Sequence, residues 1–169
     1  MVVLDPTAGN RMIWGKNKDQ EINRVVFMDK EIKLFRAPDV FGSSEFCPFR
    51  DGVFDVVLFD PPWGVNMPPW WNKPESLGNN YGNFKSKREI VYFLHKSQRE
   101  FQRVADRLCM KWGERNLSLW SILGIFVRDG WKEVFRRETG GIKSKPKNYW
   151  ITMVKTSIDS KRVRIDQNE

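Results

Sequence analysis

The stretch "FDVVLFDPPWG", residues 54–64, decides the fold. Its apolar run, residues 56–59, is typical of a strand in a parallel sheet that is covered on both faces. The run stops at an acid and two prolines, and proline cannot donate the backbone hydrogen bond that a central strand needs. The sequence therefore predicts a buried strand that ends abruptly and presents residues 60–63 at the carboxyl edge of a sheet.

Similar strands precede this stretch, and helices and strands follow it. Upstream, apolar runs in 2–5, 24–29 and 37–42 predict three strands, with a short helix in 11–17 after the first. Downstream, apolar spacing predicts helices over 87–107 and 117–129 around a strand in 108–112. Segments 131–141 and 148–156 predict two last strands, which the basic tip "IKSKPK" joins. This order favours an α/β fold with a mostly parallel, seven-stranded sheet and a C-terminal antiparallel hairpin.

Length and composition indicate one globular domain. The chain has 169 residues, of which 40% are apolar and 30% charged, so we expect a single domain over 1–157 and a polar tail over 158–169. No apolar run approaches the roughly 20 residues that span a bilayer. Cys47 and Cys109 match no metal or redox spacing, and we see no secretion signal. We therefore expect a cytoplasmic protein without a metal site.

The charge is unevenly divided along the chain. Residues 1–84 carry nine Lys and Arg against eleven Asp and Glu, whereas residues 85–169 carry twenty against ten. A basic half of this kind suggests a polyanionic partner such as nucleic acid. The basic residues of the long helix recur at helical spacing and form one candidate stripe, although a solvated surface would show the same pattern: Lys96, Arg99, Arg103 and Arg107.

Three acids fall at predicted strand ends, namely Asp5, Asp29 and Asp60. In open parallel sheets, ligands bind outside the carboxyl ends of the strands, so these acids are candidate binding groups. Asp is also favoured in the turns that follow strands, and either acid of the first two strands alone would fit that simpler explanation. The small-residue loop after the first strand, "PTAGN", would let a ligand approach the backbone closely.

Nearly the whole chain resembles the class I S-adenosylmethionine-dependent methyltransferases, which have a Rossmann-like sheet with helices on both faces. The resemblance implies S-adenosylmethionine as cofactor and an Asp29 carboxylate that accepts both ribose hydroxyls. It also implies that these residues hold the cofactor: Asp5, Pro6, Thr7, Ala8, Gly9, Asn10 and Asp29. The family often carries an acid after the third strand for the adenine, and here Ser43, Ser44, Glu45 or the backbone must serve.

The tetrapeptide "DPPW" resembles the motif of methyltransferases that modify exocyclic amino groups, chiefly of adenine. The resemblance implies that Asp60 and the Pro61 carbonyl accept hydrogen bonds from the acceptor amine, with Pro62 completing the loop. Trp63 would stack on the base, a contact worth about 1–3 kcal/mol. A strand-ending turn with a core tryptophan would look similar in isolation. We expect N6 of adenine in DNA as the acceptor, whereas RNA or a protein glutamine amide would suit related motifs.

Small phage- or virus-type DNA methyltransferases share further segments with this chain, including a fifth strand ending in "KW" and a basic hairpin before a tryptophan. This likeness implies that Lys111 and Trp112 lie beside the active site, although a partly exposed strand-end lysine and a core tryptophan would fit the same pattern. In the fold of this family the loop between the last two strands lies near the active-site rim, so its lysines are further candidate substrate contacts: Lys143, Lys145 and Lys147. We expect no separate recognition domain, so the aromatic loop 64–86, a homodimer or a partner subunit would supply target recognition. A catalytically silent subunit that binds nucleic acid is the alternative outside enzyme chemistry.

Overall fold

A seven-stranded mixed sheet is the frame of the molecule. The computed structural model describes residues 1–14, 24–31, 34, 36–67, 83–139 and 146–156. The strands are β1 (Val2–Asp5), β2 (Arg24–Asp29), β3 (Val40–Phe41), β4 (Val56–Phe59), β5 (Arg107–Gly113), β6 (Trp131–Thr139) and β7 (Asn148–Lys155). Their order across the sheet is β3-β2-β1-β4-β5-β7-β6.

Six of the seven described strands run in one direction, and β7 runs against them. β1 pairs in parallel with β2 and β4, β2 with β3, and β4 with β5. β7 lies antiparallel between β5 and β6, so the predicted C-terminal hairpin is confirmed. The sheet reverses its connections at β1, since β2 lies on one side of β1 and β4 on the other. The carboxyl ends of β1, β2 and β4 therefore meet where a ligand site is expected.

Two α-helices, α1 (Lys87–Val104) and α2 (Leu119–Arg128), pack side by side on one face of the sheet. Each starts at a serine whose hydroxyl caps the first turn, Ser86 for α1 and Ser118 for α2. The resemblance implied helices on both faces. The helical segment expected after β1 is described only as a 3₁₀ turn, Met12–Trp14, and its remainder lies outside the described residues.

The core lies between the sheet and these two helices. β5 alternates, so that Leu108, Met110 and Trp112 face the helices and are fully buried. The α1 face that they meet is apolar, and Phe101 packs edge-on against Phe59 of β4 with ring centroids 4.7 Å apart. This packing fixes the end of β4, where the "DPPW" tetrapeptide begins.

α1 ends earlier than its apolar spacing predicts. Ala105 adopts an extended conformation with φ −151° and ψ 161°, and Arg107 already belongs to β5. Arg103 donates hydrogen bonds to the carbonyl oxygens of Cys47 and Phe49 at 2.9 and 2.7 Å. The predicted basic stripe of α1 is therefore wrong at two positions, because Arg107 lies outside the helix and Arg103 holds a neighbouring loop.

The segment after the tetrapeptide is closed at its base. Phe84 N donates to Gly64 O at 2.8 Å, and Asn66 N donates to Phe84 O at 2.9 Å. The predicted recognition aromatics of this loop, Trp70, Trp71 and Tyr81, and the amides Asn79 and Asn80 lie outside the described residues, as does the 158–169 tail. Among the described helices, none is long and apolar enough to cross a membrane.

Candidate active site

One cavity joins the end of β4 to the ends of β2 and β3. Its volume is about 250 Å³. Thr7, Asp29 and Ser43 lie on the predicted cofactor side, and Asp60 and Pro62 come from the tetrapeptide. The remaining lining residues are Pro6, Lys30, Glu31, Gly42, Ser44, Asn83, Phe84 and Phe93. The structure thus brings both predicted groups of residues to the same space.

The loop after β1 is organised by Asp5. This carboxylate is 0% exposed and accepts hydrogen bonds from Trp14 Nε1 at 2.7 Å and from Thr7 N at 3.3 Å. Burial raises the pKa of Asp5 from 3.8 to about 7, and the Trp14 hydrogen bond opposes the rise. The charges of Asp60 and Asp29 raise this pKa further. Asp5 therefore supports the loop after β1, and its pKa depends on the charges of Asp60 and Asp29.

The rest of the loop is tied to β2. Gly9, with a positive φ of 48°, donates from its backbone N to Asp29 Oδ2 at 2.8 Å. Ala8 N donates to the Met28 carbonyl at 3.1 Å, and Ala8 is buried. A glycine suits this left-handed position, because a side chain there would be strained. The loop therefore lies close against the end of β2. Asn10 has contacts of its own.

Asp29 ends β2 and lines the cavity. Its two carboxylate oxygens accept one backbone hydrogen bond each, from Gly9 N and from Glu31 N, both at 2.8 Å. A carboxylate has about four acceptor positions, so with respect to the described residues each oxygen keeps a second one. This arrangement fits a ligand with two neighbouring hydroxyl groups.

The turn after β3 forms the far wall of the cavity. A Cβ on Gly42 would lie 2.9 Å from Met28 Sδ and 3.3 Å from Pro48 Cδ, so glycine allows close packing here. The Ser44 hydroxyl lies 3.0 Å from the Ser97 hydroxyl of α1, and both residues are buried. Ser43 Oγ accepts from Glu45 N at 3.2 Å. Ser44 is thus engaged with α1, which leaves Ser43 and the backbone for a ligand at this wall.

Asp60 is the acid at the end of β4. Its backbone carbonyl accepts from Thr7 Oγ1 at 3.2 Å, which joins the tetrapeptide to the β1 loop. Its Oδ2 lies 3.1 Å from the ammonium of Lys111 on β5. Burial raises the pKa of Asp60, and the Lys111 ammonium opposes this rise. Pro61 next to it is buried, and Pro62 reaches the cavity.

Trp63 is partly buried and contacts the loop that follows β5. The guanidinium of Arg115 lies over its ring, 4.5 Å from the ring centroid. Asn116 Nδ2 donates to the Trp63 carbonyl at 2.7 Å. One face of the indole is therefore covered by a cation, in a cation–π contact. The sequence did not predict that Arg115 and Asn116 contact Trp63. This contact depends on β5 lying beside β4 in the sheet, which the sequence pattern does not define.

The candidate substrate residues Trp112 and Lys147 lie in different environments. Trp112 is 1% exposed, and its Nε1 donates to the Leu117 carbonyl at 3.2 Å. These contacts favour a role in the core over contact with a substrate. Lys147 is exposed and pairs with Glu138 of β6 at 3.4 Å. Lys143 and Lys145 lie outside the described residues, so their prediction as substrate-binding groups stays a prediction.

His95 of α1 is held away from the cavity. Its Nδ1 lies 2.8 Å from Asp129 Oδ2, and its Nε2 lies 2.7 Å from an Arg128 nitrogen. Both partners belong to the C-terminal end of α2. This contact joins the two helices and fits a structural role for His95.

Sequence reasoning missed the aromatic wall of the cavity. Phe84 and Phe93 line it, with ring centroids 5.4 Å apart, and Lys30 lies at its edge. Phe93 fits the apolar spacing of α1, and this could have marked it as a core residue. Its place at the cavity depends on how α1 packs against β4, which the sequence pattern does not reveal.

Comparison with known proteins places the fold. No protein-family model and no curated protein sequence matches this chain. Among solved structures, an S-adenosylmethionine-dependent methyltransferase from Methanosarcina mazei matches with a TM-score of 0.59 and 10% identity over 92% of each chain. A TehB-like S-adenosylmethionine-dependent methyltransferase from Corynebacterium glutamicum matches with a TM-score of 0.55 and 12% identity, over 92% of this chain and 80% of that one.

A third solved structure is similar at the same level. The 16S rRNA adenine N1-methyltransferase of Catenulisporales acidiphilia has a TM-score of 0.52 and 14% identity, over 94% of this chain and 85% of that one. The strand order of this chain and its antiparallel C-terminal hairpin fit the same fold class. The chain has the fold of the class I S-adenosylmethionine-dependent methyltransferases.

Proposed function

We propose that this protein transfers a methyl group from S-adenosylmethionine to an exocyclic amino nitrogen of a nucleic-acid base, N6 of adenine in DNA being our first choice. The observation that carries the proposal is the shared cavity, which Asp29 and Thr7 line together with Asp60 and Pro62. A cofactor held by the first pair would have its reacting end near the second. The basic C-terminal half suits a polyanionic acceptor.

The residues around the cavity fit this cofactor. Asp29 keeps an acceptor position on each oxygen for the two ribose hydroxyls. Gly42 lines the cavity, and the positive φ of Gly9 lets the loop after β1 lie close against β2. The carboxylates of Asp5 and Asp60 favour a cationic group near them. When bound, S-adenosylmethionine supplies an electrophilic methyl group on a positively charged sulfur.

Asp60 and the Pro61 carbonyl would orient the acceptor amine. An amine conjugated to a ring is a poor nucleophile, and hydrogen bonds from its two N–H groups to these oxygens direct its lone pair towards the methyl group. Transfer would form an N–C bond, break the S–C bond of the cofactor and release one proton from the nitrogen. Asp60 would accept that proton, directly or through water. Trp63 would stack on the base.

The test compares Asp60→Ala with an exposed carboxylate of the same sheet. Asp60→Ala should abolish transfer of labelled methyl to DNA, RNA or protein acceptors but leave S-adenosylmethionine affinity close to that of the wild type. Asp106→Ala is the control, because Asp106 directly precedes β5 and its one ion pair among the described residues is with Lys155 at 3.7 Å. Wild-type turnover by Asp60→Ala would contradict the mechanism. A wild-type protein that binds no cofactor would instead favour a silent nucleic-acid-binding subunit.

RNA is the second candidate acceptor. One of the similar folds belongs to an rRNA adenine methyltransferase, although that protein acts on the ring nitrogen N1. Parallel assays on single-stranded DNA, duplex DNA and RNA of the same sequence separate the two acceptors. A protein glutamine amide is tested in the same assay with a cell protein extract.

A further inference from the structure

Strand register places Lys111 beside the candidate catalytic acid. β4 and β5 are parallel, and Phe59 pairs with Met110. Asp60 directly follows Phe59, and Lys111 directly follows Met110. The two residues therefore lie side by side where β4 ends. Lys111 Nζ then lies 3.1 Å from Asp60 Oδ2.

The carboxylate of Asp60 is only half engaged. Among the described residues, its one side-chain partner is Lys111, which contacts Oδ2. The residue lines the cavity, and its side chain is 16% exposed. Oδ1 therefore remains as an acceptor for a ligand group inside the cavity.

Burial favours the protonated form of Asp60 unless a cation is present. Asp5 lies close enough for the two carboxylates to repel one another, and burial raises the pKa of both. Asp29 and Glu31 line the same cavity and add negative charge, while Lys30 adds one positive charge at its edge. The Lys111 ammonium directly opposes the rise in the pKa of Asp60. A protonated carboxyl group would be a weaker hydrogen-bond acceptor and could not take up a proton.

We propose that Lys111 is a positioning residue, whose ammonium holds Asp60 Oδ2 so that an ionised Oδ1 meets the acceptor amine. This role rests on the proposed function of the cavity. It differs from direct contact with substrate, the role implied by the sequence resemblance, since the ammonium is already bound to the acid. An ionised Asp60 also requires an acceptor amine that donates N–H, because an ionised carboxylate offers only acceptor oxygens.

The test measures the acid side of the pH profile. In Lys111→Met, the pH at which kcat/KM falls to half should move upward by about 1–3 units, the usual effect of an adjacent cation on a carboxyl group. Lys111→Arg should keep a profile close to that of the wild type. A second measurement does not depend on turnover. The carboxyl ¹³C signal of Asp60, assigned by its absence in Asp60→Asn, should titrate at a correspondingly higher pH in Lys111→Met.

The matched control is Lys155→Met. Lys155 is also a sheet lysine paired with an aspartate, Asp106, but at the far end of β5. It should change neither the profile nor the Asp60 signal. Cofactor affinity and melting temperature of Lys111→Met should stay close to wild type, which excludes misfolding.

Two results would overturn the role of Lys111. If Lys111→Met raises KM while its acid limb and its Asp60 signal stay as in the wild type, the lysine contacts substrate directly. If the wild-type protein methylates no acceptor, the proposed function fails, and this role fails with it. A wild-type protein that is active, beside a Lys111→Met variant with an unchanged profile, refutes the role of Lys111 alone.

Discussion

At the scale of single residues, Asp29 gives the simplest test of the cofactor site. Asp29→Ala removes the acceptor that would meet two ribose hydroxyls and should weaken S-adenosylmethionine binding by about 1.5–3 kcal/mol, as expected for lost hydrogen bonds to a charged group. Calorimetric titration measures the loss, and Asp39→Ala at the neighbouring β3 is the control. Unchanged affinity in a folded Asp29→Ala protein would mean that the ribose lies elsewhere.

Asp5 predicts a pH dependence of cofactor binding. Its raised pKa, about 7, means that it is mostly protonated below this pH in the free protein. A cationic sulfur is bound better beside an ionised carboxylate, so affinity should rise with pH and level off above the pKa of Asp5. The rise between about pH 6 and about pH 8 should reach at most about tenfold.

The control for this dependence is chemical. S-adenosylhomocysteine has an uncharged sulfur, and its affinity should change much less with pH. Asp5→Asn should flatten the curve for S-adenosylmethionine while keeping the acceptor oxygen for the Trp14 N–H. A steep curve in Asp5→Asn would assign the dependence to another group, such as Asp60.

The residue types of the site were predictable, but their pairing was not. A small-residue loop, three strand-end acids and the "DPPW" tetrapeptide all fall around the observed cavity or support its walls. The contact of Lys111 with Asp60 depends on the β4–β5 register, which the hydrophobic pattern of either strand alone does not define. The contact of Arg115 with Trp63 could not be predicted for the same reason.

At the scale of elements, Arg103 shows how one helix residue holds a loop. It donates to the carbonyls of Cys47 and Phe49 and pairs with Asp51 and Glu100 at 2.8 and 2.7 Å. Arg103→Ala should lower the free energy of unfolding by about 1–3 kcal/mol, because it leaves acceptors of the β3–β4 segment without their donor. Chemical denaturation measures the change.

Arg99 of the same helix provides the comparison. It is exposed, so Arg99→Ala should change the free energy of unfolding by no more than about 0.5 kcal/mol. Equal losses in the two variants would mean that helix propensity, and not the loop contact, sets the effect.

Element boundaries were harder to predict than element types. The strand and helix pattern from β4 to β7 agrees with the sequence, yet α1 stops at Val104 although apolar spacing continues to Leu108. Leu108 matches the apolar spacing of the helix by coincidence. It belongs to β5 and is buried in the core as a strand residue. Helical spacing and strand alternation coincide over such short distances, and tertiary packing decides between them.

At the scale of the whole molecule, charge predicts how nucleic acid binds. We propose that the hairpin lysines meet phosphates, so replacing Lys143, Lys145 and Lys147 by Ala should weaken binding equally for all sequences. The log–log salt slope should fall by about 0.7–0.9 for each lost phosphate contact. Affinity measured across a salt series tests this, and cofactor affinity is the control. A wild-type salt slope in the triple variant would exclude the hairpin as the contact surface.

The position of β7 has a consequence for synthesis on the ribosome. β5 carries Lys111, but one of its two neighbours in the sheet is β7, which comes later in the chain than both α2 and β6. At about 5–20 residues per second, the intervening segment takes seconds to translate. During that time the nascent chain exposes an unpaired edge of β5, which can pair with other chains. The charged residues Arg107 and Lys111 on β5 are expected to disfavour pairing of that edge with a second nascent copy.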